Sequence, residues 1–368
     1  MRIAHLDTGR TWRGGQSQCL LLMRELRARG HAQILLAPRG PLLEKALAEG
    51  FTAHAWRPHG ELDVFAMFAA IGALRAFGVE VAHAHSAHAH AVGVPAARLT
   101  GVPAVLVSRR VDFRVRTNPF SALKYRLPVD RYLCISEGVR EAMLASGVPA
   151  ERLWLAPSGA DFAEVRADGD RPAPSLREWC ALPAEAEIVG TVASLAPHKN
   201  HKLLLEAVPA VLRERPNAHF VWLGEGETRA ALERRRQELG LEGRVHMPGF
   251  HPEARALMRQ FDLFVLSSHL EGLCTSLLDA QVLRVPIVAT AVGGVPEVVR
   301  DGVTGRLVHA LEPAPLAMAI VEALAHPERR AEWIAGGLRA VEAFSIGHTA
   351  ERTLEAYRTV LREHGREA

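Results

Sequence analysis

The chain has 368 residues, 48% of them hydrophobic and 23% charged, which suits two domains of about 150 residues with real cores and excludes a disordered or fibrous chain. A formal net charge of +3 is too small for a general nucleic-acid binder, whose domains carry a strongly basic face. Cys19, Cys134, Cys180 and Cys274 lie far apart with no C-x-x-C spacing, which argues against a zinc knuckle or disulfide framework and for a reducing compartment.

Met1–Asp7 reads as a short strand ending in a polar turn, with no signal-peptide core, and no later stretch reaches about 18 apolar residues. The expectation is a cytoplasmic protein. Gly9-Arg-Thr-Trp-Arg-Gly14-Gly15-Gln16 follows, then an amphipathic segment over Gln16–Arg29. Paired glycines ahead of a helix let backbone approach a ligand, and the helix N-terminus favours an anion; an ordinary tight turn explains them equally well. Gly15-Gln16 stands where a P-loop needs Lys-Ser/Thr, so ATP hydrolysis is rejected.

Further strand-like runs fall at Ile34–Ala37, Val81–Ala84, Ala104–Val107 and Tyr132–Ile135. His83, His85, His88 and His90 crowd the end of the second of these. Four imidazoles invite a metal, but no carboxylate or thiol lies close in sequence and a strand-to-helix turn scatters the rings. His88, just past the strand end, is the one expected to face a ligand. From Arg109 to Arg131 the chain is basic, with Phe113, Phe120, Leu123 and Tyr125 interleaved. This suits an anionic membrane surface, a phosphorylated acceptor, or a merely solvated face; Arg109 and Arg110 are the acceptor-side candidates.

Residues 166–175 read as a polar linker, and Asp168-Gly-Asp170 within it as solvated rather than as a metal-binding D-x-D. Strand-like runs resume at Ile188–Val192, His219–Leu223, Leu263–Leu266 and Pro286–Ala289, with a helical pattern over Lys202–Glu214. Such alternation means parallel sheets covered by helices on both faces. The expectation is an α/β chain of two Rossmann-like doubly wound domains facing a cleft. Residues 1–162 with a helical stretch at 348–368 form one, and residues 163–347 the other.

Three loops of the second half suggest chemistry. Lys199 follows the first strand there, where an ammonium neutralises a leaving diphosphate. After Leu263–Leu266 comes Glu271, then Thr275-Ser276-Leu277 opening a helix whose free amides suit phosphate. Glu271 and Asp279 lie eight residues apart, about 12 Å if both were helical. Ala291–Glu297 and Asp301–Gly305 are tight turns that fit close approach to a ligand, and Leu223-Gly-Glu-Gly226 is half of a dinucleotide fingerprint, weak support for NAD.

Taken together, the Gly14-Gly15 pair, the Leu195–Asn200 loop, Glu271-Gly-Leu and the Gly293-Gly294-x-Pro-Glu-Val and Asp-Gly-x-Thr-Gly turns resemble the large retaining glycosyltransferase family 4, of the GT-B fold, along nearly the whole chain. The resemblance implies that Lys199 holds the donor diphosphate, that Thr275, Ser276 and Leu277 cradle phosphate, and that Gly14, Gly15 and Asp279 also serve the donor. Glu271 and His88 would contact the sugar at the reacting centre. It also implies retention of configuration, no essential metal or other cofactor, a nucleotide-sugar donor, and a final helix crossing back to the N-terminal half. The acceptor would be lipid- or saccharide-linked, in cell-envelope polysaccharide or lipopolysaccharide synthesis, with peripheral contact to an anionic membrane and no nucleic acid. Two departures stand out: Asp279 replaces the motif's second glutamate, and Ser194 its usual arginine. The alternatives are a nucleotide-sugar 2-epimerase and a non-catalytic two-lobed sugar-binding protein, with an NAD oxidoreductase furthest from the motifs.

Overall fold

The computed structural model describes residues 1–111 and 124–366 and divides the chain into two compact units, Met1–Gly159 with Ile346–Ala368, and Ala160–Ser345. Each is built on one parallel sheet. The first holds β1 (Arg2–Leu6), β2 (Ala32–Ala37), β3 (Thr52–Ala55), β4 (Val81–Ala84), β5 (Ala104–Arg109), β6 (Arg131–Cys134) and β7 (Leu153–Leu155) in the order β3-β2-β1-β4-β5-β6-β7. The second holds β8 (Glu187–Val192), β9 (Ala218–Leu223), β10 (Val245–Gly249), β11 (Leu263–Leu266), β12 (Ile287–Thr290) and β13 (Arg306–Val308) in the order β10-β9-β8-β11-β12-β13. In both sheets the order reverses beside the first strand, and in doubly wound folds ligands bind past the strand ends at that reversal.

The strands are buried because they are apolar on both faces. β9 (AHFVWL) and β11 (LFVL) expose no residue. Leu204, Leu205 and Val208 of the helix His201–Glu214 pack with Phe220 and Trp222 in the second core, and each fully buried large side chain contributes about 1.5–3 kcal/mol. The final helix, Ile346–Glu363, belongs to the first unit. Its Leu354, Tyr357, Val360 and Leu361 join Ile3, Leu22, Val81, Leu106 and Leu133 in one cluster.

The stretch read as a linker is ordered. Asp161 accepts a hydrogen bond from the Glu164 amide and caps the helix Phe162–Gly169, and a short helix, Leu176–Trp179, follows. Asp161 with Glu164 three residues on is the sequence pattern of a helix start. Among the described residues, no helix is long and apolar enough to cross a membrane.

Candidate active site

The reversal in the second sheet brings two distant loops together. β8 pairs with β11 in parallel, Val189 opposite Leu263 and Gly190 opposite Phe264, so the segments leaving their C-terminal ends emerge side by side. The first runs through a 3-10 turn, Pro197–Lys199, to Asn200 at φ 51, a left-handed conformation that asparagine tolerates better than most residues. The second loop fastens to it. The His269 amide donates to the His198 carbonyl at 3.0 Å, and the Ser267 hydroxyl lies 3.2 Å from the carbonyls of both Lys199 and Asn200.

Lys199 and Glu271 meet in consequence, Nζ to Oε1 at 2.5 Å. Their side chains are 14% and 7% exposed, so water screens the pair little. Ser268 Oγ donates to the same carboxylate oxygen at 2.6 Å, and the Gly294 amide, from the Gly-Gly turn after β12, donates to the Glu271 carbonyl at 3.1 Å. Cys274 Sγ lies 3.9 Å from the ammonium. Burial works against the Lys199 charge, but the Cys274 sulfur and the Glu271 carboxylate outweigh it, and its pKa stands above the usual lysine value. Burial, then Glu271, pushes the Cys274 thiol up.

Cys274 also precedes the helix Thr275–Val282 without capping it through a usual side-chain acceptor. The Leu277 amide is taken by the Cys274 carbonyl at 3.1 Å, and the Ser276 backbone bonds the Cys274 sulfur, a weak acceptor that phosphate oxygen outcompetes. The Leu277 amide is therefore spent within the turn, and the Leu277 side chain is buried in the core.

Two sequence expectations change here. The helix begins only at Thr275, so helical rise does not set the spacing of Glu271 and Asp279. Asp279 is held by Arg255 Nη2 at 3.2 Å, while Arg255 Nη1 lies 2.8 Å from Asp168. Burial raises the Asp279 pKa and Arg255 opposes that rise. Asp168 and Asp170 are accordingly not a solvated linker pair: Asp168 bonds Arg255 and Arg171, and Asp170 bonds Arg259.

Nearby glycines have packing reasons. A Cβ on Gly224, at φ +155, would sit 1.9 Å from the Ala193 carbonyl oxygen, and one on Gly226 2.3 Å from that of Leu195. This half-fingerprint lets two loops of the second unit touch, which removes its support for NAD.

In the first unit, Gly14 and Gly15 open the helix Gly14–Ala28. Among the described residues, a Cβ on Gly14 would meet nothing within 4 Å, and one on Gly15 only Arg110 Cδ at 3.7 Å, an ordinary contact. Neither glycine has positive φ, so neighbouring protein atoms do not require them. His88 is exposed on the first turn of the helix Ala87–Leu99. Arg109 Nη1 donates to the Tyr125 hydroxyl at 3.0 Å, and Arg110 reaches Ser158 Oγ at 3.3 Å and His85 Nδ1 at 3.5 Å. Within the basic stretch, Phe113, Arg114, Arg116, Phe120 and Leu123 lie outside the described residues.

The other histidines are interior. His83 Nδ1 is 2.6 Å from the Tyr357 hydroxyl and Nε2 2.8 Å from Ser108 Oγ. His5, Cys19 and His85 could bring three ligand atoms within 4.8 Å of one another, but hydrogen bonds account for the imidazoles. His5 Nε2 donates to Gln33 Oε1 at 3.0 Å, so Nδ1 accepts from His85 Nε2 at 3.0 Å, and His85 Nδ1 faces Arg110. Burial takes the His5 pKa down to about 4 and those of His83 and His85 well below the usual value. These rings form a neutral chain that orients Arg110, and the set does not fit a metal.

Two family models cover most of the chain, "Glycosyltransferase Family 4" over residues 12–164 and "Glycosyl transferases group 1" over residues 175–339. The chain belongs to the family 4 glycosyltransferases. Sequence relatives of this family 4 chain include a D-inositol 3-phosphate glycosyltransferase of Thermobispora bispora, 31% identical over 60% of this chain and 54% of that one. A second such glycosyltransferase, of Nocardia farcinica, is 33% identical over 63% and 53%. The chain spans about half the length of the curated relatives it matches. Among solved structures, HepE of Anabaena in complex with UDP superposes with a TM-score of 0.81 at 19% identity, over 96% of this chain and 99% of that one. A glycosyltransferase from Rickettsia africae superposes at 0.84 and 16%, over 98% and 99%. At these identities the likeness shows the GT-B fold.

Proposed function

We propose that the protein transfers a sugar, with retention, from a uridine diphosphate sugar to a hydroxyl of an acceptor. The observation that carries this reading is the meeting of Lys199 and Glu271 beside the first turn of the helix Thr275–Val282. An ammonium at ~4 Å from a phosphate oxygen, at an effective dielectric of ~20, is worth on the order of 4 kcal/mol. Lys199 and the Thr275 and Ser276 amides stabilise the diphosphate as it gains charge on leaving. Glu271 would repel phosphate, so its role is to accept hydrogen bonds from donor-sugar hydroxyls once Lys199 turns to the diphosphate. No metal is required by this scheme, because the lysine and the helix end supply the positive potential. The open space around Gly14 supports close approach of ligand to that backbone, and exposed His88 is assigned to the reacting sugar. Asp279, tied to Arg255, serves the donor by holding the Thr275–Val282 helix in place.

The uridine choice draws on the HepE structures, which hold UDP, UDP with glucose, and UDP-glucose. We place the work at the cytoplasmic face of a membrane, in cell-envelope synthesis. Supporting this are four free cysteines, three of them buried, and the exposed side chains of Leu62, Val64, Phe65 and Phe68.

The test is a thermal-shift series with UDP, GDP and ADP and their glucose conjugates, since a ligand raises stability as RT ln(1 + [L]/Kd). UDP ligands should give the largest shift, and Lys199→Ala should lose that increment measured against its own ligand-free Tm. Leaving Glu271 buried without its partner costs on the order of 3 kcal/mol, so the ligand-free Tm falls as well. An undiminished UDP increment in Lys199→Ala overturns the role given to this lysine.

A further inference from the structure

The second unit holds a cavity of ≈590 Å³ between the helices His201–Glu214 and Arg229–Glu238. The donor chemistry above makes no use of it, since neither Lys199 nor Glu271 lines it. Its volume falls within the ~300–1,000 Å³ of small-ligand sites. Three cations line it, Lys202, Arg234 and Arg235, against two carboxylates, Glu206 and Glu238. Arg235 takes both carboxylates, Nε to Glu206 Oε1 at 2.7 Å and Nη1 to Glu238 Oε2 at 2.9 Å. Lys202 and Arg234 are exposed and make no ion pair among the described residues. One cation from each helix is thus left free for an anion.

No side chain caps the helix His201–Glu214, and its first turn carries no acidic residue, so its amides and dipole also favour negative charge. The decisive group is His201. It lines the cavity at 3% exposure, and its Nδ1 has no hydrogen-bond partner among the described residues. Leaving such a group unmet is costly, which favours an occupant that meets it. Beside it Trp222 Nε1 is also buried without a partner, the two ring centroids 5.4 Å apart. Burial, then the Lys199 charge, takes the His201 pKa down to about 4, so the ring is neutral. Nδ1 accepts in one neutral tautomer and donates in the other; a hydroxyl, which does both, satisfies either. Ala196, Pro197, Ala231 and Leu232 add apolar lining, which suits the face of a ring.

We propose that this cavity binds a phosphate monoester of a hydroxylated ring, as an effector separate from the donor. Its phosphate lies between Lys202 and Arg234, and one of its hydroxyls bonds His201. Hexose phosphates and nucleoside monophosphates share this chemistry. Pro197 and Asn200 of the lining flank Lys199 in the chain, so an anion here and a diphosphate on Lys199 bear on one short turn and repel each other. The occupant therefore weakens donor binding, and the donor weakens the occupant by the same factor. The cavity stands on its own geometry; only its effect on UDP rests on the glycosyl-transfer reading.

The experiment is titration calorimetry on the full chain with glucose 6-phosphate against glucose, AMP against adenosine, and inorganic phosphate. One ester should bind about tenfold tighter than both its unphosphorylated counterpart and inorganic phosphate; the arm that responds identifies the source. Lys202→Gln and Arg234→Gln change exposed side chains and should each remove that preference while UDP still binds. His201→Phe should weaken the ester and leave inorganic phosphate unchanged. The responding ester should raise the apparent Kd of UDP on the order of fivefold and then reach a plateau, as separate sites require. A Kd that climbs without limit marks competition for the donor site and overturns the proposal. Equal binding of all probes, or a preference that survives loss of both Lys202 and Arg234, overturns it too. A UDP Kd untouched by the bound ester overturns the effector role. Failure of the unaltered protein to bind UDP overturns the glycosyl-transfer reading, and the ester titrations still decide the cavity.

Discussion

Glu271 and Lys199 neutralise each other before any donor arrives, so a diphosphate that captures the ammonium also frees the carboxylate. Glu271→Gln keeps a hydrogen-bonding amide beside Ser268 and Lys199 and removes only the charge. The expected outcome is a UDP thermal shift at least as large as the parent's, since the ammonium no longer has to leave a carboxylate, with kcat for UDP release lowered on the order of 100-fold. Full turnover in this variant removes the carboxylate from the chemistry. Gly14 gives a prediction with opposed signs. Open space surrounds its missing Cβ and alanine is the better helix former, so Gly14→Ala should raise stability by up to about 1 kcal/mol. If ligand backbone contact is the reason for the glycine, the same change raises KM for the UDP sugar. An unchanged KM assigns Gly14 to turn geometry.

Among the elements, the pairing of β8 with β11 does most to make the site, since it sets loops 72 residues apart in sequence side by side. The Gly224–Gly226 turn supports it from behind. A Cβ on Gly224 would clash with the Ala193 carbonyl at a φ that side chains avoid, so Gly224→Ala should destabilise the second unit by on the order of 3 kcal/mol or more. Urea unfolding followed by Trp222 fluorescence measures it. The strands legible in the sequence were those buried on both faces, such as Val81–Ala84 and Leu263–Leu266. β3, with three of its four residues exposed, the three-residue β7 and β13, and β10 with its internal proline carried too little apolar signal. Lys199 and Glu271 were legible because their loops hold recognisable motifs. Arg255, which holds Asp279 and Asp168, was not, because an arginine on a five-residue helix looks like any solvated one. His201 was equally opaque, since a missing hydrogen-bond partner exists only in three dimensions.

At the scale of the molecule, buried neutral histidines set the response to acid. The pKa values of His5, His90 and His201 are lowered to about 4, 3 and 4, and those of His83 and His85 lie well below the usual value, burial being the first cause in each. Above about pH 6.5 both folded and unfolded rings are neutral and stability does not change through them. Below it the unfolded chain takes up protons first, so stability falls by about 1.4 kcal/mol per pH unit for each ring until the folded pKa is reached. Tm should therefore drop steeply from pH 6.5 toward pH 4. Four of these five rings are in the first unit, so hydrogen exchange at pH 5 should accelerate there before it does in residues 160–345. A flat Tm across this range contradicts the neutral assignment.

The membership of Ile346–Glu363 in the first unit has a consequence for biosynthesis. Domains commonly fold in order as they leave the ribosome, but here the first sheet lacks its covering helix until the whole second unit has been made. The later unit is continuous and has its whole core in hand sooner. Nascent chains stalled before residue 346 should thus hold a protease-resistant second half beside a first half that still exposes Ile3, Val81 and Leu106 to chaperones.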